Sequence, residues 1–299
     1  MKTACRSKVK TALITGSSGF TGQYLAKSLD DAGYAVVGLG HKPSEGVIAC
    51  DLLDRARLIE VLEQVKPDVV VHLAAIAFVA HGDVDAIYRT NVVGTRNLLD
   101  ALVKCKSNPS SILLASSANI YGNVNVETID ESVVAAPAND YAVSKVAMEH
   151  MARLWVDQLP ITIARPFNYT GAGQSLNFLL PKIVDHFKRR APVLELGNLD
   201  VVRDFSDVRS VVHSYRALLQ AGRTGEAFNI CSGRGYSLLE VVQMMRQLTG
   251  HNIEIVVNPA FVRANEVHRL VGNKARLESA IGVVPEIHLR DTLQWMLEK

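Results

Sequence analysis

The stretch Ala12-Leu13-Ile14-Thr15-Gly16-Ser17-Ser18-Gly19-Phe20-Thr21-Gly22 decides how the rest of the chain is read. A short apolar run stops at a glycine. Two more glycines follow at G-x-x-G-x-x-G spacing, and Tyr24, Leu25, Lys27 and Leu29 then recur with helical spacing. This is the pattern of a buried strand that turns directly into a helix. In such a turn Gly16 permits the tight reversal, Gly19 lets the backbone approach a pyrophosphate, and Gly22 lets the helix pack closely on the strand. The free N–H groups at the helix start, with Ser18 and Phe20 beside them, suit phosphate. A glycine-rich loop is often only a turn. Its place at the first strand-to-helix junction of an alternating chain is what favours dinucleotide binding.

The alternation continues outward from that loop. Ala35-Val36-Val37, Asp68-Val69-Val70-Val71 and Ser111-Ile112-Leu113-Leu114 are apolar runs rich in β-branched residues, with helix-spaced segments around Leu58-Ile59-Val61-Leu62 and from Val92 to Leu102. Apolar strands joined by helices predict a parallel sheet covered on both faces, and right-handed crossovers make it a doubly wound, Rossmann-type α/β sheet. After Arg165-Pro166-Phe167-Asn168 the rhythm breaks into a Gly- and Asn-rich loop, a helix near Pro181 to Arg190, and later elements of mixed type. We expect residues 1–168 to form the nucleotide-binding domain, with 204–230 returning to it. Residues 169–203 and 231–299 should form a smaller mixed α/β C-terminal domain that binds substrate.

The bulk numbers narrow the class. At 299 residues, 48% hydrophobic and 21% charged, the chain reads as globular, and a net charge of +2 is too small to point to nucleic acid or an anionic membrane as partner. Cys5, Cys50, Cys105 and Cys231 are far apart and form no CxxC pair, which suits reduced thiols in the cytoplasm. The basic start lacks a signal-peptide core, and the longest apolar stretch, Val69 to Ala80, contains His72 and is too short to span a bilayer. The nine histidines, among them His72, His81, His150, His186 and His213, form no metal constellation and read as structural.

Two segments carry candidate chemistry. The second strand runs Val36-Val37-Gly38-Leu39-Gly40-His41-Lys42, without the acid that takes a ribose 2′-OH in NAD sites. His41 and Lys42 could pair with a 2′-phosphate, which favours NADP(H) over NAD(H), although a solvated basic loop would look the same. Asp51-Leu52 has the placing of an adenine contact. Further on, Tyr141 and Lys145 lie four apart on one helical face, where an ammonium can lower a phenol's pKa toward neutrality. A Y-x-x-x-K pair commonly decorates a surface helix. Here it follows Ala115-Ser116-Ser117-Ala118-Asn119-Ile120-Tyr121-Gly122, a strand end that opens into hydroxyls and an amide. Ser117, Tyr141 and Lys145 together suit hydride transfer between a nicotinamide and a C–O centre.

Taken together, Gly16-x-x-Gly19-x-x-Gly22, His72-Leu73-Ala74-Ala75, Asn91-Val92-x-Gly94-Thr95, Ser116-Ser117, Tyr141-x-x-x-Lys145 and Arg165-Pro166-x-Asn168 resemble the extended short-chain dehydrogenases/reductases that modify nucleotide sugars. The resemblance runs nearly end to end. It implies that Leu73, Ala74, Ala75, Asn91 and Arg165 join the cofactor contacts, with Tyr141 and Lys145, and that Ser117, Tyr141 and Lys145 are catalytic. Arg203-Asp204-Phe205-Ser206-Asp207-Val208, Asn229-Ile230-Cys231-Ser232-Gly233 and Arg263-Ala264-Asn265-Glu266-Val267 resemble the branch that handles GDP-mannose derivatives. In that branch the equivalents of Asn177, Arg203, Arg263 and Glu266 hold the nucleotide, and Ser117, Asn119 and Asn168 would face the sugar. Guanidinium forks suit phosphate and a carboxylate suits paired ribose hydroxyls.

The resemblance also says which chemistry to expect. GDP-mannose 4,6-dehydratases carry Thr-Ser-Glu where this chain has Ser117-Ala118-Asn119, and an amide cannot replace the glutamate as a base. GDP-fucose synthases need a cysteine near position 118 and a histidine near 178, where this chain has Ala118 and Phe178. The keto-reductases of the branch fit best. They imply NADPH-dependent reduction of C4 in GDP-4-keto-6-deoxy-D-mannose to GDP-D-rhamnose or GDP-6-deoxy-D-talose. A C4 epimerase, which keeps NAD bound, needs the same three residues, and a non-catalytic NADP-sensing protein can share the fold. The superfamily also suggests a homodimer through the helices 92–102 and 141–154, where Met148, Met151 and Leu154 could serve, or could equally pack on the sheet.

Overall fold

In the computed structural model, which describes residues 9–77, 82–261 and 267–299, the apolar run of the first loop is Thr11–Thr15 (β1) and the helix after it is Phe20–Asp30 (α1). Then come Ala35–Gly40 (β2), Val47–Ala49 (β3), Arg55–Val65 (α2), Val69–His72 (β4), Val84–Tyr88 (α3) and Thr95–Lys104 (α4). Ser111–Ala115 (β5), Asp140–Arg153 (α5) and Ile161–Pro166 (β6) complete the alternating half. Beyond it lie Asn168–Thr170 (β7), Leu179–Lys188 (α6), Val193–Leu196 (β8), Val202–Asp207 (β9), Val208–Ala221 (α7) and Ala227–Ile230 (β10). Gly235–Ser237 (β11), Leu238–Thr249 (α8), Glu254–Val257 (β12), Arg269–Leu270 (β13), Ala275–Ile281 (α9) and Leu289–Glu298 (α10) follow.

Seven strands pair in the order β10-β6-β5-β4-β1-β2-β3, and every pairing is parallel. The strands are apolar throughout because both faces are covered. Leu13, Val70, Ile112 and Leu114 face a core with Leu58, Leu62, Leu98, Leu102 and Met148 from α2, α4 and α5. Their neighbours Ala12, Ile14, Val69, Val71 and Leu113 face the opposite core, with Leu25 and Leu29 of α1 and Val211, Tyr215 and Leu218 of α7. Strand order reverses between β1 and β4, so a crevice opens there at the carboxyl ends.

A second group of elements is built on β9, which pairs with β7, β11 and β13, and on the β8–β12 pair. Helices α6, α8 and α10 cover it with Ile183, Phe187, Val241, Met245 and Leu293. Residues 204–207 therefore finish β9, and the chain returns to the large sheet only at α7. β10 then pairs with β6, and α9 follows it there through Leu277. Without β10, β6 would be an open edge.

Met148 is fully buried on the sheet and Met151 packs against the same core, whereas Leu154, just past α5, is 78% exposed. The two methionines thus belong to the fold's interior. Among the described residues no helix is long and apolar enough to cross a membrane.

Candidate active site

The glycine loop is shaped by contacts that a side chain would break. Gly16 has φ +72°, and a Cβ there would lie 2.8 Å from the Ala74 backbone nitrogen, in the loop after β4. At Gly22 a Cβ would lie 2.3 Å from the Gly16 carbonyl oxygen, so α1 rests directly on the turn. Gly38 of β2 makes room for the Ser17 side chain, whose buried Oγ has no hydrogen-bond partner among the described residues. Gly19 is the N-cap of α1, with no side-chain cap and no acid in the first turn, leaving the helix N–H groups to an anion. Beyond β2, His41 and Lys42 are exposed. These residues fit a dinucleotide.

Helix α5 is started by Asn139, whose side chain accepts from the Ala142 N–H at 2.9 Å, and it carries Tyr141 and Lys145 into the interior. Both are buried, at 7% and 3% exposure. Lys145 Nζ donates to the Ala115 carbonyl at 2.8 Å and lies 5.9 Å from the centre of the Tyr141 ring. Ser117 caps the 3-10 turn Ala118–Tyr121, its Oγ accepting the Asn119 N–H at 3.2 Å, and it is one of the groups that act on the Tyr141 phenol. Burial pushes the Tyr141 phenol up to about 12, with the Ser117 hydroxyl pulling the other way. Burial also pulls Lys145 down to about 8, against the Glu149 carboxylate, which holds it up. The sequence led us to expect a phenol lowered by the ammonium. The protein alone instead keeps Tyr141 protonated, because burial disfavours the phenolate.

Ala118, Ile120 and Tyr121 of the 3-10 turn are buried and Asn119 is its partly exposed member. Asn168 begins β7, and its buried Nδ2 has no partner among the described residues. Asn177 is exposed, and Arg203 Nη1 donates to the Val202 and His268 carbonyls at 3.0 and 3.4 Å. Arg263 and Glu266 lie outside the described residues. Leu73, Ala74 and Ala75 are part-exposed beside Gly16. Asp51 is exposed and accepts the Leu53 N–H, while the Leu52 side chain is in the core.

Two expected cofactor contacts, Asn91 and Arg165, are also bonded to the protein itself. Asn91 is buried, with its Oδ1 taken by the Ile76 N–H and its Nδ2 donating to the Ile76 carbonyl and Ser144 Oγ. It braces the loop after β4, beside the glycine turn. Arg165 donates to both oxygens of Glu149 at 3.0 and 2.7 Å and to the Tyr121 hydroxyl at 2.9 Å.

A family model described as "NAD dependent epimerase/dehydratase family" matches residues 12–231. The chain belongs to this family of extended short-chain dehydrogenases/reductases. It is 36% identical to GDP-6-deoxy-D-talose 4-dehydrogenase of Aggregatibacter actinomycetemcomitans over 270 residues, 90% of each chain. It is 34% identical to GDP-6-deoxy-D-mannose reductase of Pseudomonas aeruginosa, covering 95% of each. The structure of RMD from Pseudomonas aeruginosa complexed with NADPH superposes with a TM-score of 0.86 at 32% identity, over 97% of this chain and 98% of that one. As a member of the epimerase/dehydratase family, the protein is an NAD(P)-dependent oxidoreductase.

Within this family site the sequence reading passed over Glu149, which is 3% exposed. It lies four residues after Lys145, so the spacing already put it on the face that carries Tyr141 and Lys145. The passed-over Tyr169 bonds Thr21 at 2.8 Å and stacks on Phe20, joining the start of α1 to β7. Its partners are distant in sequence, and no spacing could have pointed to them.

Proposed function

We propose that this protein reduces the C4 keto group of GDP-4-keto-6-deoxy-D-mannose with NADPH, giving GDP-D-rhamnose or GDP-6-deoxy-D-talose. The observation that carries the reading is the buried Tyr141 with Lys145 Nζ 5.9 Å from its ring, tied to the strand end that leads into Ser117. Bound NADPH supplies the hydride. Tyr141 hands its proton to the oxygen that gains negative charge at C4, and Ser117 orients that oxygen. Lys145, fixed to the Ala115 carbonyl, holds the nicotinamide ribose and steadies the phenolate left behind. No carboxylate stands at position 119, so proton removal from C5 lacks its base. Both relatives described above are named for GDP-linked 6-deoxyhexoses, which supports this sugar class. Asn119 and Asn168 would meet the sugar, and Asn177, Arg203, Arg263 and Glu266 the GDP. His41 and Lys42 would take the 2′-phosphate that favours NADP(H).

The test is a single reaction of purified protein, enzymatically prepared keto sugar and NADPH, followed at the nicotinamide absorbance, with the product identified by NMR. Loss of NADPH together with a GDP-6-deoxyhexose supports the reading. Protein that carries tightly bound NAD and interconverts C4 epimers without net NADPH loss refutes it in favour of an epimerase.

A further inference from the structure

Tyr141, Lys145 and Glu149 follow one another at intervals of four on α5, and all three are buried. Two of them are bonded to the same segment at the end of β5, which continues into Ser117. Lys145 donates to the Ala115 carbonyl, and Glu149 Oε1 accepts the Ser116 hydroxyl at 2.5 Å. Glu149 is itself gripped by Arg165 through both carboxylate oxygens, and Arg165 by Tyr121, whose hydroxyl donates to Asn229 Oδ1 at 2.7 Å. A buried carboxylate is costly unless it is paired and bonded, and here it is both. The reaction proposed above makes no use of it.

We propose that Glu149 is a positioning residue: clamped by Arg165, it fixes Ser116, and with it Ser117, opposite Tyr141, and supplies the buried counter-charge for Lys145. This rests on the reductase reading only for its catalytic readout. The charge balance is local. Lys145 is faced by Tyr141 and Glu149 of its own helix and by His72 of β4, whose protonation the Lys145 charge disfavours. Glu149 is faced by Arg165 of β6, and Arg165 by Tyr121 and the Glu131 carbonyl. Neutralising Glu149 leaves two buried cations with no anion between them, and Lys145 then gives up its proton at lower pH.

The experiment compares wild type, Ser116→Ala and Glu149→Gln in melting temperature, in kcat and KM for the keto sugar, and in NADPH dissociation constant across the neutral and alkaline range. Ser116→Ala leaves the Glu149–Arg165 pair whole. It should lower kcat about ten-fold, with KM within about three-fold, because Ser117 loses its support. In Glu149→Gln the alkaline loss of NADPH affinity should move about one pH unit lower, a change that loosened packing alone would not produce. Wild-type kcat in Ser116→Ala and a wild-type pH profile in Glu149→Gln would overturn the proposal, whatever the melting temperatures. If Glu149→Gln does not fold, the kcat of Ser116→Ala decides. If the wild type leaves the keto sugar untouched, the reductase reading fails while the NADPH profile still decides the role of Glu149.

Discussion

Acidification should destabilise this protein through His72, by an amount that can be worked out. The imidazole sits at the end of β4, 2% exposed, with Nδ1 2.6 Å from Thr15 Oγ1 and Nε2 2.8 Å from Thr95 Oγ1. The Thr95 hydroxyl donates to the Asn91 carbonyl, so it accepts from Nε2–H. Nδ1 is then the acceptor for Thr15, whose oxygen takes the Ala74 N–H. A second ring proton would force the Thr15 hydroxyl to give up the bond it donates to Nδ1. Burial, and then the Lys145 charge, lowers the ring to about 3 from 6.5. Below 6.5 the unfolded chain therefore binds a proton that the folded chain refuses. The stabilising contribution is complete above 6.5 and is lost as pH falls toward 3. At pH 5 the loss is about 2 kcal/mol, rising to about 5 kcal/mol below both values. Urea unfolding of wild type and His72→Asn at pH 7 and pH 5 measures it. The wild type should lose about 2 kcal/mol more than the variant between the two conditions. Equal losses, or an imidazole that titrates near 6.5 by NMR in the folded protein, would refute the buried neutral ring.

Three further outcomes follow from the site. Tyr141→Phe should keep NADPH affinity and lose about 10²- to 10⁴-fold in kcat, measured as NADPH consumption with the keto sugar. Gly22→Ala places a methyl 2.3 Å from the Gly16 carbonyl and should abolish measurable NADPH binding by fluorescence titration, with a lower melting temperature. His41→Ser with Lys42→Ser should weaken NADPH about ten-fold and leave NADH affinity unchanged in the same titration.

The parts that were legible in the sequence are those made by near neighbours. β1, the glycine turn and α1 are contiguous, and the Tyr141–Lys145 spacing is set by one helix, so both could be read directly. The internal bonds of Asn91 and Arg165 were not legible, because a motif names a residue and says nothing of what its side chain meets. Their partners, Ile76 and Ser144 in one case and Glu149 and Tyr121 in the other, are brought in by folding. The same applies to residues 204–207. They run into α7 with no intervening loop, and only pairing with β7, β11 and β13 shows that they close the second sheet. The Tyr141 phenol was misjudged for a related reason. Its neighbouring cation is visible in the sequence and its burial is not.

That β10 lies on the edge of the large sheet, with α9 beside it, has a consequence for engineering. The elements around β9 are strung through the sheet in separate pieces, so no single cut releases them as a module. A chain truncated after β7 would end with β6 unpaired on one side, prone to sticking to other strands rather than folding as a minimal cofactor binder. Exchanging this second layer with that of a relative would require transplanting 168–207, 231–261, 267–270 and the α10 segment together, while leaving α7, β10 and α9 of the recipient in place. Chimeras built at one junction should fail. Those built at all of them retain a closed sheet.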